Sequence, residues 1–126
     1  MNQAPSILLV EDDLILQEMY RIRLEQAGFR VTELVSGEEA LRAIANNKFD
    51  LVLLDIMLPG VSGLDVLAEL KDNDSTKDLP VIMLSALSTD EDKMRGREFG
   101  ATDYIAKSES TPREVVAKIK SILDAK

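Results

Sequence analysis

The chain has 126 residues, of which 45% are hydrophobic and 30% charged, and its formal net charge is −8. This length fits a single domain, residues 1–126, with a real core, and the negative charge argues against direct binding to nucleic acid or to an anionic membrane surface. The chain has no histidine and no cysteine, which excludes Ser-His-Asp and Cys-His catalysis and leaves oxygen ligands of the kind that suit Mg²⁺ or Mn²⁺.

Targeting signals and membrane spans are not evident in the sequence. The longest apolar run, Leu51 to Leu54, is far too short to cross a bilayer. The first residues, Met1 to Pro5, have neither the basic start nor the apolar core of a signal peptide. We therefore expect a soluble protein of the cytoplasm.

Five short apolar runs rich in Val, Ile and Leu predict five strands, at Ile7–Val10, Val31–Val35, Leu51–Leu54, Val81–Leu84 and Tyr104–Ala106. Longer segments with helical spacing follow each run and predict five helices. Such alternation indicates an α/β fold, a doubly wound five-stranded parallel sheet of the (βα)5 type with helices on both faces.

The predicted helix boundaries carry their own chemical signatures. Ser36 and Thr111 each precede a glutamate by three residues, as in a capping box, and Pro112 occupies the favoured first helical position. Gly28 and Gly100 lie where helices should end, because glycine accepts the left-handed conformation there.

Polar side chains come at the carboxyl ends of four predicted strands. Glu11-Asp12-Asp13 follow the first strand, Asp55 ends the third, Ser85 the fourth and Lys107 the fifth. In an open α/β sheet these ends line one crevice, where ligands bind. Clustered carboxylates there predict a Mg²⁺ site, with Lys107 and Ser85 available for phosphoryl oxygens and Asp55 left as a nucleophile.

Each of these features also has an ordinary structural interpretation. An acidic run after a strand is often a solvated loop, and Asp13 would serve as a helix N-cap. A lone Asp55 before Ile-Met-Leu-Pro-Gly would simply end a strand at a turn. The coincidence of such residues at four strand ends favours a functional site.

The chain resembles the receiver domain of bacterial two-component response regulators, the CheY-like family, from about Ile7 to Leu123. The matching segments are Ile7 to Asp13, Asp50 to Gly60 with Gly63, Val81 to Ala86 and Gly100 to Lys107. The resemblance implies the flavodoxin-like strand order 2-1-3-4-5. It also implies a phosphorylation-activated switch that catalyses only its own phosphotransfer and autodephosphorylation, and so is not an enzyme acting on outside substrates.

The resemblance further implies a role for each matching residue. Asp55 would accept the phosphoryl group from a phosphohistidine on a sensor histidine kinase or histidine phosphotransfer protein, and a downstream protein effector would respond. Mg²⁺ would be bound by Asp12, Asp55 and the backbone carbonyl of Met57, with Glu11 acting through water. Ser85 and Lys107 would contact the phosphoryl oxygens, and Ser85 and Tyr104 would form the switch pair; Tyr104 is otherwise an ordinary half-buried strand residue.

Two apolar side chains bear on the lifetime of the phosphorylated state. Met57 and Leu87 lie two positions after Asp55 and Ser85, where receiver domains tune access of the hydrolytic water. Because apolar side chains neither orient nor admit water, we expect slow autodephosphorylation.

Two features leave alternatives open. The family usually has proline after the lysine, often with a cis bond, whereas Ser108 follows Lys107 here in a loop one residue longer. Because a non-proline cis bond is costly, the sequence leaves a cis or a trans bond open, and we expect Lys107 still to reach the site. Charged residues resemble the fourth-helix, fifth-strand, fifth-helix face through which many response regulators dimerise, although solvent-facing helices carry charges anyway; they are Lys93, Arg95, Glu98, Asp103, Lys118 and Lys120.

Two other functions compete with the switch. A Mg²⁺-dependent phosphohydrolase is disfavoured because Asp55-Ile56-Met57 lacks the Asp-x-Asp pair of haloacid-dehalogenase phosphatases and no cap segment is evident. A receiver used only as a binding scaffold is kept open by Ser108. The last predicted helix runs to the end of the chain without a linker, which slightly favours a stand-alone regulator over an excised module.

Overall fold

The computed structural model describes residues 4–86 and 90–125, without the side chains of residues 90–92 and 96. Strands and helices alternate strictly along this part of the chain. The strands are β1 (Ser6–Val10), β2 (Arg30–Leu34), β3 (Leu51–Asp55), β4 (Val81–Ser85) and β5 (Asp103–Ala106). The helices are α1 (Leu14–Gln26), α2 (Gly37–Asn46), α3 (Gly63–Lys71), α4 (Asp90–Glu98) and α5 (Pro112–Asp124).

The five strands form one parallel sheet in the order β2-β1-β3-β4-β5. This confirms the predicted doubly wound α/β fold and its strand order. Chain order reverses direction between β1 and β3, so the crevice beyond their carboxyl ends is the expected ligand site. None of the helices in the described part of the chain has the length and apolar character needed to cross a lipid bilayer.

The core lies on both faces of the sheet because successive strand side chains point to opposite faces. Leu8 and Val10 of β1 pack with α2 and α3 on one face. Ile7 and Leu9 of the same strand pack with α1 and α5 on the other. The central strands are buried from end to end, which explains their continuous apolar runs.

The predicted helix boundaries are largely confirmed. The Ser36 and Thr111 side chains accept hydrogen bonds from the backbone of Glu39 and Glu114, and a full capping box forms at Thr111. Gly28 and Gly100 follow helices with φ of +95°, a conformation that glycine adopts without strain. β2 lies one residue earlier than predicted, because its pairing with β1 ends at Leu34 opposite Val10.

Candidate functional site

The end of β1 is held by a buried glutamine. The backbone N–H of Glu11 donates to the Leu34 carbonyl at 3.0 Å, which extends the β1–β2 pairing by one residue. Gln17 of α1 is buried, and its Nε2 donates to the carbonyls of Glu11 at 3.1 Å and Leu34 at 2.9 Å. Gln17 is not among the residues predicted from the sequence; its place on the side of α1 that faces the sheet is the signal that could have found it.

Two of the three acidic residues after β1 face the candidate site, and the third caps a helix. Asp13 is the N-cap of α1, and its Oδ1 accepts from the backbone N–H groups of Ile15 at 3.0 Å and Leu16 at 3.2 Å. Glu11 is fully buried while Asp12 is exposed. The structural interpretation of the acidic run was therefore correct for Asp13, and Glu11 and Asp12 remain for the site.

Asp55 is the last residue of β3, and its side chain is almost completely buried. Each carboxylate oxygen has a partner. Oδ1 accepts from the Met57 backbone N–H at 3.1 Å, and Oδ2 accepts from Lys107 Nζ at 2.8 Å. The carboxylate is thus fixed at the crevice by one backbone donor and one cation.

Lys107 reaches the site despite the unusual residue after it. Its Nζ also lies 2.5 Å from Glu11 Oε1, an ion pair without hydrogen-bond geometry at that oxygen. Its backbone N–H donates to the Ser85 carbonyl at 2.7 Å, which continues the β4–β5 pairing. The Lys107–Ser108 bond is trans, as are all peptide bonds among residues 4–86 and 90–125, and Ser108 Oγ donates to the Ala86 carbonyl at 3.3 Å.

The burial of these charges shifts their pKa values. Burial and the neighbouring Asp55 raise the pKa of Glu11 from 4.5 to about 7, against the lowering effect of Lys107. Burial lowers the pKa of Lys107, but its contacts with Asp55 and Glu11 outweigh that effect and raise it overall. Lys107 is therefore charged near neutral pH, and Glu11 holds its proton to a higher pH than an ordinary glutamate.

Glu11, Asp12 and Asp55 each place a carboxylate oxygen within 4.8 Å of the others. Three carboxylates against one ammonium leave an excess of negative charge, which a hard divalent cation relieves. An oxygen-only set of this kind suits Mg²⁺, so the residues present fit the ion that the sequence predicts. The arrangement could hold a metal beside the Asp55 carboxylate.

The remaining predicted residues surround this centre. Ser85 is buried at the end of β4, next to β3, while Met57 is 74% exposed beside Asp55. Tyr104 is half-buried on β5, paired with Met83, and lines a surface pocket of about 310 Å³ next to α4. Leu87 lies outside the described residues, so its predicted role stays a prediction.

The raised pKa of Glu11 predicts a pH dependence of stability in metal-free protein. The folded pKa of about 7 exceeds the ordinary 4.5, so the folded state binds the proton more tightly and the stabilisation is complete below the ordinary pKa. It is lost as pH rises through the folded pKa. Among the residues that the structure describes, Asp12, Asp55 and Lys107 are the charged groups that face Glu11.

We expect the Glu11 contribution to lower the free energy of unfolding of the metal-free protein by about 1–3 kcal/mol between pH 5 and pH 8, since one pKa unit corresponds to about 1.4 kcal/mol. Denaturant unfolding in the presence of a chelator measures this effect. The Glu11→Gln variant is the matched control. Subtracting its pH dependence from that of wild type leaves the contribution of Glu11, because the other titratable groups are the same in both proteins. An equal pH slope in the two proteins would contradict the prediction.

Comparison with known proteins identifies the family. The profile described as "Response regulator receiver domain" matches residues 7–120. The chain belongs to this family. Accepting a phosphoryl group in two-component signalling is the function of its receiver domains, which bind Mg²⁺ in an acidic pocket. The acidic triad of Glu11, Asp12 and Asp55 could hold such an ion.

Individual relatives support this assignment over nearly the whole receiver domain. The phosphate regulon transcriptional regulatory protein PhoB is 43% identical over 118 residues in Pseudomonas aeruginosa, covering 94% of this chain and 51% of that protein. PhoB of Escherichia coli is 44% identical over 120 residues, covering 95% and 52%. The chain therefore spans about half the length of the curated relatives it matches.

Solved structures have the same fold, and one of them is also about twice as long as this chain. A CheY-like receiver domain protein from Methanospirillum hungatei superposes with a TM-score of 0.89 at 30% identity, covering 97% of this chain and 95% of that one. DrrB of Thermotoga maritima, described as an OmpR/PhoB homologue, has a TM-score of 0.86 at 33% identity, covering 97% of this receiver domain but 54% of its own chain.

Proposed function

We propose that Asp55 of this receiver domain accepts a phosphoryl group from a phosphohistidine of a sensor histidine kinase or histidine phosphotransfer protein, with the cytoplasm as the site of the reaction. The observation that carries the proposal is the Asp55 carboxylate. It lies at the crevice end of β3 with one oxygen held by Lys107 and two further carboxylates within 4.8 Å. These 126 residues contain no histidine, so the phosphohistidine lies outside this domain.

The reaction is an in-line displacement at phosphorus. An anionic oxygen of Asp55 attacks, the N–P bond of the donor breaks, and the imidazole that leaves takes up a proton while an acyl phosphate forms on Asp55. Lys107 holds Asp55 Oδ2 at 2.8 Å and contributes positive charge to the equatorial oxygens. The buried hydroxyl of Ser85 on the adjacent strand is the second candidate to contact them.

Asp12, Asp55 and the backbone carbonyl of Met57 would hold Mg²⁺, with Glu11 supporting it through water. The full burial of Glu11 and its contact with Lys107 support this indirect role, whereas the exposure of Asp12 suits a direct ligand. When bound, Mg²⁺ neutralises charge that develops on the phosphoryl oxygens.

Ser85 and Tyr104 are proposed as the switch pair that reports phosphorylation to a downstream protein effector. They lie on neighbouring strands, and β5 connects Tyr104 to Lys107 over three residues. We expect a shift of Ser85 towards the phosphoryl group to be transmitted to Tyr104 through the paired strands β4 and β5.

The decisive experiment is intact-protein mass spectrometry after incubation with acetyl phosphate, in Mg²⁺ and in a chelator. We expect a single phosphoryl adduct in Mg²⁺, mapped to the peptide that contains Asp55, and none in the chelator. Absence of any adduct in Mg²⁺ would favour the scaffold alternative. Sustained hydrolysis of a generic phosphate ester, beyond one equivalent, would instead favour a phosphohydrolase.

The same experiment measures the lifetime of the phosphorylated state. Met57 extends beside the site and is apolar, so it neither orients nor activates a water molecule for attack on phospho-Asp55. We expect the adduct to persist for minutes or longer after acetyl phosphate is removed in Mg²⁺. Decay within seconds would contradict this prediction.

A homodimer through α4, β5 and α5 is the proposed response to phosphorylation, alongside contacts to a separate protein effector. The pocket next to Tyr104 on this face is lined by Lys93, Arg97 and Asp103. A movement of Tyr104 would therefore change the position of charged groups on this face. Lys118 already pairs with Asp103 at 2.9 Å within one chain, so a dimer has to use other charges or exchange this pair.

We expect a beryllofluoride mimic of the phosphoryl group to raise the sedimentation coefficient at micromolar concentration. The Asp55→Asn variant, which cannot form the mimic, is the control. An unchanged sedimentation coefficient for wild type would rule out activation by this dimer.

A further inference from the structure

The loop that follows Asp55, residues 56–62, is joined directly to the acceptor carboxylate. The backbone N–H of Met57 in this loop donates to Asp55 Oδ1 at 3.1 Å. A displacement of the loop would therefore release one oxygen of Asp55, and it would also move the Met57 carbonyl that is proposed as a metal ligand. The position of the loop consequently matters for both proposed steps, metal binding and phosphoryl transfer.

The base of this loop is closed by its own backbone. The N–H of Gly63 donates to the Ile56 carbonyl at 2.9 Å. A Cβ on Gly63 would lie 2.0 Å from the Asp55 carbonyl oxygen, so only glycine permits this approach. These contacts fix the two ends of the loop but leave its tip, Gly60 and Val61, to be held by something else.

The tip is held by a glutamate from another helix. Glu38 Oε1, on α2, accepts a hydrogen bond from the Val61 backbone N–H at 3.0 Å. Gly60 has φ of +76°, and a Cβ there would lie 2.6 Å from the same Glu38 oxygen. A side chain at position 60 would therefore displace the Glu38 carboxylate from the loop tip.

Helix α2 itself is fixed against the loop, so Glu38 acts from a rigid support. Gly37 is buried at its first turn, and a Cβ there would lie 2.8 Å from the Val61 carbonyl oxygen. Ser36 caps the same turn by accepting from the Glu39 N–H. The Val61 hydrogen bond also lowers the pKa of Glu38, so the acceptor is charged at neutral pH and the bond is charge-assisted.

We propose that Glu38 is a positioning residue for the phosphoacceptor site, which fixes the loop carrying Met57 and thereby the orientation of the Asp55 carboxylate. Glu38 touches neither the metal nor the phosphoryl group; it acts through Val61 and the loop. The expected effect on metal binding and phosphoryl transfer rests on the proposed function. The hydrogen bond between Glu38 and the Val61 N–H, which we call the clamp, is a property of the metal-free protein.

Two substitutions of Glu38 separate a clamp from a simple charge effect. Glu38→Gln removes the charge but keeps an oxygen that accepts from Val61, whereas Glu38→Ala removes both. Glu69→Ala, at an exposed glutamate on α3, controls for the loss of one negative charge elsewhere. Because Glu38 is itself exposed, we expect all three variants to fold, with melting temperatures within about 4 °C of wild type.

Hydrogen exchange in metal-free protein, followed by NMR, reads the clamp directly. We expect the Val61 amide to exchange faster in Glu38→Ala and to stay protected in Glu38→Gln. Calorimetric titration with Mg²⁺ reads the consequence. Residues that orient metal ligands cost about tenfold or more in affinity when removed, so we expect Glu38→Ala to weaken Mg²⁺ binding by about this factor and Glu38→Gln by much less.

The outcomes distinguish this inference from the proposed function. If wild-type protein fails to bind Mg²⁺, the proposed function is wrong, and the Val61 exchange rates still decide whether the clamp exists. If wild type binds Mg²⁺ and Glu38→Ala binds it equally well, the positioning role is wrong. Equal losses in Glu38→Gln and Glu38→Ala would also overturn it, because charge alone would then explain the effect.

Discussion

Replacement of Asp55 by asparagine is expected to abolish formation of the phosphoprotein. The amide keeps the size of the side chain and an acceptor for the Met57 N–H, but it has no anionic oxygen to attack phosphorus. No adduct should appear by mass spectrometry with acetyl phosphate and Mg²⁺. The same substitution removes an influence that raises the pKa of Glu11, so an NMR titration should show that pKa falling towards its ordinary value.

The matched control is Asp50→Asn, which lies at the opposite end of β3. Asp50 accepts a hydrogen bond from the Ser6 N–H at 2.7 Å, far along the strand from the crevice, and we expect that variant to be phosphorylated like wild type. An adduct that persists in Asp55→Asn would place the acceptor elsewhere, with the exposed Asp12 as the first residue to test.

Replacement of Lys107 by alanine is expected to change metal binding and phosphorylation in opposite directions. Lys107 is the cation that contacts Glu11 and Asp55, so its loss removes repulsion towards Mg²⁺. We expect Mg²⁺ to bind about tenfold more tightly, which corresponds to about 1.4 kcal/mol. This is a small part of the energy of two charges in close contact. The rate of phosphorylation at saturating Mg²⁺ should nevertheless fall by about 10²-fold, because a donor to the phosphoryl oxygens is lost.

The metal-free Lys107→Ala protein should also be less stable, by about 3 kcal/mol near pH 8, because two buried carboxylates lose their partner. This loss should shrink at lower pH, where those carboxylates bind protons. Lys107→Arg keeps the charge and should retain most of the stability, and Lys120→Ala, at an exposed site on α5, controls for net charge. Phosphorylation of Lys107→Ala at the wild-type rate would contradict the proposed role.

Most of the fold could be predicted from sequence because its signals are local. The runs at Leu51–Leu54 and Val81–Leu84 are buried on both faces, so they read as continuous apolar strands, and both prove to be central. Thr111 and Pro112 mark the start of α5 through the geometry of one helical turn. The sequence also predicted the place of the candidate site, because parallel strands bring their carboxyl ends to one edge of the sheet.

Details that depend on contacts between distant segments could not be predicted this way. The sequence left open whether Asp13 belonged to the site or to a helix, and the structure decides it through two backbone hydrogen bonds in α1. The role of Glu38 had no local signal, and Gln17 offered only its place on the sheet-facing side of α1. Their partners are carbonyl or N–H groups of other segments, which every residue type except proline offers alike.

The amino-acid sequence by itself determined that the chain folds as alternating strands and helices and that Asp55, Asp12, Ser85 and Lys107 come at strand ends. Apolar periodicity and turn chemistry encode these features within a few neighbouring residues. Only the tertiary structure decided that Lys107 pairs with both Glu11 and Asp55 although Ser108 follows it. It also decided that α2 holds the tip of the acceptor loop. These arrangements depend on how the loops at one sheet edge pack against each other, and that packing is a property of the whole fold.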